Sequence, residues 1–130
     1  MQEDELPCPF CNIRDDEIIA SDDICFAIWD PFPVSKGHVL VIPKRHVSSY
    51  FDMRYSEKIS ILQLIETCKE MIDQKYHPNA YNIGINIGKP AGQTVMHCHV
   101  HIIPRFIGDI TDPTGGVRGV IPDKRTYKSN

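Results

Sequence analysis

Residues 97–103 read His-Cys-His-Val-His-Ile-Ile, and alternation of that period fits one backbone conformation, the β-strand. In such a strand His97, His99 and His101 project from one face, while Cys98, Val100 and Ile102 turn to the other, against a core. Three of the six histidines of this 130-residue chain thus fall within five residues. Each ring can act as nucleophile, proton carrier or metal ligand near neutral pH, because an unperturbed imidazole titrates at about 6.5. The residues alone leave three readings: nucleophilic or proton-transfer chemistry, a metal site, or a strand whose histidines are inert.

The rest of the chain supplies a scaffold around that strand. Residues 24–29 (Ile-Cys-Phe-Ala-Ile-Trp) form a predicted strand closed by Pro31-Phe32-Pro33, and residues 38–42 (His-Val-Leu-Val-Ile) a second, bounded by Gly37 and Pro43. Between Tyr55 and Tyr76, Ile59, Leu62, Ile65, Cys68 and Ile72 recur at three- and four-residue intervals, which predicts an amphipathic helix with Ser56 as N-cap and Pro78 as its limit. Residues 81–87 alternate through Ile83, Ile85 and Ile87, then Gly88, Pro90 and Gly92 make a loop into the histidine strand. These last two strands should pair antiparallel. From about residue 105 the chain is irregular, with repeated glycine and proline. Strands, then a helix, then a strand pair point to α+β with an antiparallel sheet, in a single domain spanning residues 1–130.

Composition narrows the partners. A net charge of −3 argues against a nucleic-acid polymer, whose binders carry a basic face, yet leaves room for a small phosphorylated ligand. No apolar run is long enough to span a bilayer, and the acidic start Met-Gln-Glu-Asp-Glu has no signal-peptide core. Five cysteines, an odd number, fit a reducing cytoplasm better than a disulfide framework.

The heptad resembles the His-φ-His-φ-His-φ-φ signature of the histidine triad (HIT) family, where φ is apolar. The resemblance extends through residues 26–30, through Pro-Val-Ser-Lys-Gly-His-Val-Leu-Val-Ile-Pro at 33–43, and from Asn86 through Gly92-Gln93-Thr94-Val95, so that it covers roughly residues 8–110. It implies a HIT-like antiparallel sheet of about five strands, with one long helix and one or more short ones. The implied activity is cleavage at the α-phosphate of a nucleotide derivative through a nucleotidyl-histidine intermediate. By the family pattern His99 attacks phosphorus, His101 donates to a non-bridging oxygen, and His97 with His38 orients the nucleophile. An imidazole suits this chemistry, being both a competent nucleophile at neutral pH and a good leaving group from phosphorus.

Substrate contacts follow from the same likeness. Asp30 matches a ribose-binding position, on the same strand face as Ile28, and Phe10, Ile13 and Ile28 match positions that sandwich the base, although each would serve equally as ordinary core. Trp29, on the opposite face, is expected to pack. Gly92, Gln93, Thr94 and Val95 match a phosphate-facing loop, with Gln93 and Thr94 as side-chain donors, and Asn86 a position near the phosphates or leaving group. Pro104-Arg105-Phe106-Ile107-Gly108-Asp109 resembles the fragile-histidine-triad and dinucleoside polyphosphate hydrolase branch, so Arg105, Lys89 and Arg118 are candidates to screen additional phosphates. The implied reaction is hydrolysis of dinucleoside polyphosphates, a divalent cation accompanying the substrate. Phosphoramidate hydrolysis and nucleotidyl transfer are the alternatives within the family, and nucleotide binding with little turnover the alternative outside catalysis. Family members are usually homodimers.

Cys8-Pro9-Phe10-Cys11 has the two-residue gap that lets two thiolates reach one metal. A structural zinc site needs four ligands, and no second such pair exists, so the others would be histidines. Some relatives join this pair to the histidine of an Ile-Pro-Lys-x-His segment and to the first triad histidine, here His46 and His97. Zinc would then fix the His97 tautomer; the competing reading is a free or redox-active pair. Cys25, Cys68 and Cys98 sit among apolar neighbours and are expected to be buried.

Overall fold

The computed structural model describes residues 7–127; residues 1–6, with the acidic start, and residues 128–130 lie outside them. Five strands, β1 (Ile18–Ser21), β2 (Cys25–Trp29), β3 (Val39–Pro43), β4 (Ala80–Gly84) and β5 (Val100–Arg105), form one sheet in the order β1-β2-β3-β5-β4, and every neighbouring pair is antiparallel. Among the described residues a single long helix, α1 (Tyr55–Tyr76), joins β3 to β4. Short 3-10 turns occupy the N-terminal segment, the loops and the chain beyond β5. The α+β class and the antiparallel pairing of the last two strands are as expected from sequence. No helix among the described residues is long and apolar enough to cross a membrane.

Alternation divides the sheet into two faces. Cys25, Ala27, Val39, Val41, Val100 and Ile102 turn toward α1 and pack with Ile61, Leu64, Cys68 and Ile72. Each large aliphatic side chain so buried contributes about 1.5–3 kcal/mol. Phe26, Ile28, Leu40 and Ile42 line the opposite face, which α1 does not cover. Trp29 takes the helix side, edge-on to Tyr76 with ring centroids 6.0 Å apart. Gly37 lies at φ +87°, and a Cβ there would stand 2.8 Å from Tyr76 Cδ2, so glycine is required where the chain turns into β3.

Three expectations need correction. The helix is capped by Arg54, whose N–H donates to the Glu57 carboxylate (2.7 Å), so Ser56 is not the N-cap. The buried stripe of α1 is Glu57, Ser60, Ile61, Leu64, Cys68 and Ile72, whereas Ile59 and Leu62 are exposed. Two polar residues enter the buried face because they have partners: Arg45 pairs with Glu57 at 2.7 Å, and the Ser60 hydroxyl donates to Asp22 at 2.6 Å. Finally, β4 ends at Gly84 rather than residue 87, and β5 begins at Val100 rather than His97; β1, a short Ile-Ile-Ala-Ser segment, was not anticipated.

Candidate active site and metal centre

Register places the histidines. Ile28 pairs with Leu40 and Leu40 with His101, so His101 stands on the face that α1 leaves open. His97 and His99 belong to the lead-in to β5, which the Cys98 N–H pins to the Val47 carbonyl at 2.7 Å. Cys98 is buried on the helix side, as the alternation required.

Partners fix the proton on each ring. His99 Nδ1 lies 2.8 Å from the His97 carbonyl oxygen and must donate to it, which leaves the Nε2 lone pair as the ring's nucleophilic atom. His38 Nδ1 accepts from the Val34 N–H (3.1 Å), so its hydrogen is on Nε2, 3.0 Å from His101 Nδ1 and 3.3 Å from Asp30 Oδ2. His101 Nδ1 therefore accepts, and its own hydrogen sits on Nε2. Burial, then the neighbouring His99 and His38 rings, push the His101 pKa down to about 4, against an opposing pull from Asp30. Burial lowers His38 too, with Asp30 again opposing. Both rings are neutral at pH 7. Contrary to the expectation that His38 would orient the nucleophile, its ring partner is His101, and it is the His97 backbone that holds His99.

Asp30, Ile28, Phe10 and Ile13 converge on this face. Asp30 follows β2, with Oδ1 accepting from the Phe32 N–H at 2.8 Å. Ile28 packs with Phe26, Leu40 and Ile42, and Phe10, Ile13 and Ile18 rest against that cluster. Phe10 meets His99 edge-on at 5.0 Å, making a continuous apolar shelf beside the histidine. Ile18 was missed, since its four-residue strand carries no alternation.

The loop from β4 to β5 brings Gly92 at φ +96°, and exposes Asn86, Gly92 and Thr94; Val95 is half-buried. Gln93, expected as a side-chain donor to phosphate, is buried with both amide hydrogens engaged inside the protein, its Nε2 donating to the Ser48 and Val95 carbonyls (2.9 and 3.1 Å) and its Oε1 accepting from the Gly88 N–H. Arg105 is likewise committed, in a two-pronged pair with Asp109 (2.8 Å each) and a bond to Asn82. Arg105 in turn holds the Asp109 carboxyl well below the usual range. Arg118 lies over the Tyr127 ring at 4.8 Å.

Cys8, Cys11, His46 and His97, the set that the family resemblance implied, come together with one ligand atom from each lying within 4.8 Å of the others. His97 Nε2 donates to the Pro43 carbonyl at 2.7 Å, so Nδ1 carries the lone pair, 3.5 Å from Cys8 Sγ and 3.6 Å from Cys11 Sγ. His46 Nδ1 is 3.3 Å from Cys11 Sγ. Two thiols and two imidazoles, their free atoms converging, fit a tetrahedral zinc ion. Asp30, His38 and His101 form a second cluster, but the hydrogen on His38 Nε2 makes it a relay rather than a ligand set. The segment bearing His46 is tied to α1 by Arg45, which grips buried Glu57 at 2.7 and 3.0 Å. Nothing in the local sequence announces that pairing.

The HIT domain family profile matches residues 13–108. Among similar proteins, an uncharacterized HIT-like protein of Methanocaldococcus jannaschii is 39% identical over 106 residues, covering 78% of this chain and 81% of that protein. The asymmetrical bis(5'-nucleosyl)-tetraphosphatase of Schizosaccharomyces pombe is 42% identical over 80 residues, which is 62% of this chain and 44% of that enzyme. A zinc-bound histidine triad family protein from Mycobacterium smegmatis superposes with a TM-score of 0.67 at 33% identity, covering 73% of this chain and 69% of that one.

Proposed function

The chain belongs to the HIT domain family, and from that membership and the geometry above we propose that it hydrolyses dinucleoside polyphosphates at the α-phosphate through a nucleotidyl intermediate on His99. The observation that carries this reading is the His99 Nδ1–H bond to the His97 carbonyl, because it holds the lone pair of Nε2 ready for phosphorus. In the first step an Nε2–P bond forms and the bond from the α-phosphorus to its bridging oxygen breaks, expelling the remaining nucleoside polyphosphate. In the second, water displaces the imidazole and a nucleoside monophosphate leaves.

His101 presents its Nε2–H to a non-bridging oxygen, where negative charge accumulates. The Val34 N–H, His38 and His101 form a directed chain that keeps that hydrogen outward. Asp30 offers Oδ2 to the ribose hydroxyls, and Phe10, Ile13 and Ile28 form the slot for the base. Gly92, Thr94, Val95 and Asn86 flank the phosphates. Zinc on Cys8, Cys11, His46 and His97 would fix the His97 tautomer and thereby the carbonyl that holds His99. The exposed apolar residues Leu62 on α1 and Ile83 on the edge strand β4 support a homodimer.

The test is trapping. Rapid quench with a labelled diadenosine polyphosphate should leave label on a peptide containing His99, in acid-labile linkage. Comparing turnover with an adenosine phosphoramidate and a nucleotide sugar sets the substrate class, and turnover without any adduct would reject the mechanism.

A further inference from the structure

The metal donors and the nucleophile share two supports. Phe10 lies between Cys8 and Cys11 on the 3-10 turn Pro9–Cys11, and its ring meets both His97 (6.0 Å) and His99 (5.0 Å) edge-on. His97 turns its Nδ1 toward the sulfurs and its carbonyl toward His99. Cys8 and Cys11 stand on one turn, closed by a bond from the Cys11 N–H to the Cys8 carbonyl at 3.2 Å, with their sulfurs within 4.8 Å of each other. Cys11 is exposed and Cys8 half-buried, whereas Cys25, Cys68 and Cys98 are buried. Cys25 and Cys68 are 0% exposed and Cys98 1%, so a dissolved reagent does not reach their sulfurs. An oxidant in solution therefore meets the Cys8–Cys11 pair first.

We propose that Cys8 and Cys11 form an oxidation-sensitive latch on the active site: as a dithiolate they hold zinc with His46 and His97 and brace His99, and as a disulfide they release both. This rests on the nucleotidyl-histidine reading above. The oxidant is a two-electron acceptor of the peroxide class. The two thiolates give up two electrons in forming one S–S bond; the O–O bond of hydrogen peroxide takes those electrons with two protons and leaves as two waters. Zinc departs because a disulfide sulfur no longer carries the thiolate charge that bound it. His97 Nδ1, on a fully buried ring, then loses its partner while Nε2 still holds Pro43. As that ring and Phe10 resettle, both supports of His99 move.

The experiment titrates zinc-loaded wild-type protein with hydrogen peroxide. It reads zinc release with a chelating dye, the Cys8–Cys11 bond by peptide mass mapping, turnover of a diadenosine polyphosphate, and the ¹⁵N resonances of the His99 ring. One zinc should leave per disulfide formed, with at least a tenfold fall in kcat and shifted His99 resonances, all restored by dithiothreitol and zinc. Loss of zinc with kcat and His99 resonances unchanged overturns the latch and leaves the hydrolase reading standing. A protein that binds no zinc, or whose Cys8 and Cys11 stay reduced under peroxide, overturns it as well. If the reduced, zinc-loaded protein turns over none of the substrates, the hydrolase reading fails, and the His99 resonances alone decide whether the latch exists.

Discussion

The His99 ring is held by the backbone of His97: its Nδ1 donates to the carbonyl oxygen two residues earlier at 2.8 Å, which orients Nε2 without spending a second side chain. Replacing His99 by Asn removes the atom that bonds phosphorus while keeping a side chain of similar polarity. We expect kcat for a diadenosine polyphosphate to fall by ~10⁴-fold or more, the scale on which removal of a nucleophile acts. No labelled adduct should form, and nucleotide affinity by equilibrium dialysis should hold within a few fold. Retention of wild-type turnover by His99→Asn would remove the basis of the mechanism.

His38 acts on a different ring. Its Nε2–H lies 3.0 Å from His101 Nδ1, and the Val34 N–H on its other nitrogen leaves no alternative tautomer. In His38→Phe the His101 hydrogen is free to move to Nδ1, so the donor to the phosphoryl oxygen is present only part of the time. We expect kcat to drop ~10- to 100-fold, at the lower end of acid–base effects, with adduct formation slowed rather than lost. Single-turnover rates of His99 labelling separate this from a structural defect, because KM should change little.

How far these partners can be read from the sequence depends on their distance along the chain. The two strands at 25–29 and 39–43 and the helix at 55–76 follow from local periodicity, and the separation of the histidines from Cys98, Val100 and Ile102 follows from alternation. In the first two turns of the helix the buried stripe departs from the apolar one for a definite reason. Glu57 and Ser60 look like solvent residues, and only Arg45 and Asp22, 12 and 38 positions away, make them buried ones. Gln93 misleads in the same way, since it is the Ser48 carbonyl, 45 residues distant, that draws its amide inward. Family spacing brought Cys8, Cys11, His46 and His97 to one point; the loop fold that aims His97 Nε2 at Pro43 has no local signature.

The Arg45–Glu57 pair is asymmetric, and its two halves should differ in cost. Glu57 is buried and accepts from Arg45 twice and from the Arg54 N–H, whereas the Arg45 side chain is 36% exposed. Arg45→Met strands a buried carboxylate that keeps only the Arg54 N–H, while Glu57→Gln leaves the guanidinium access to water, so Arg45→Met should lower stability more. Urea unfolding midpoints measured at pH 7 on both variants check the order. Equal costs would mean that Glu57 is better solvated than its position implies.

Acid should weaken the fold through His101. Its folded pKa is lowered to about 4, chiefly by burial and then by the His99 and His38 rings, with Asp30 pulling the other way. The unfolded ring titrates near 6.5. Between those values the unfolded chain binds more protons than the folded one, so unfolding free energy rises with pH. The contribution is complete above about pH 7 and is withdrawn as pH falls from 6.5 toward 4, to a total of about 3 kcal/mol. His38 is lowered as well and adds in the same direction, so the wild type alone does not isolate His101. His101→Asn keeps an acceptor for the His38 Nε2–H but cannot titrate. Urea unfolding of both proteins at intervals from pH 7.5 to 4.5 should therefore show the stability of the wild type falling more steeply than that of the variant, and parallel curves would place the His101 pKa near its unfolded value.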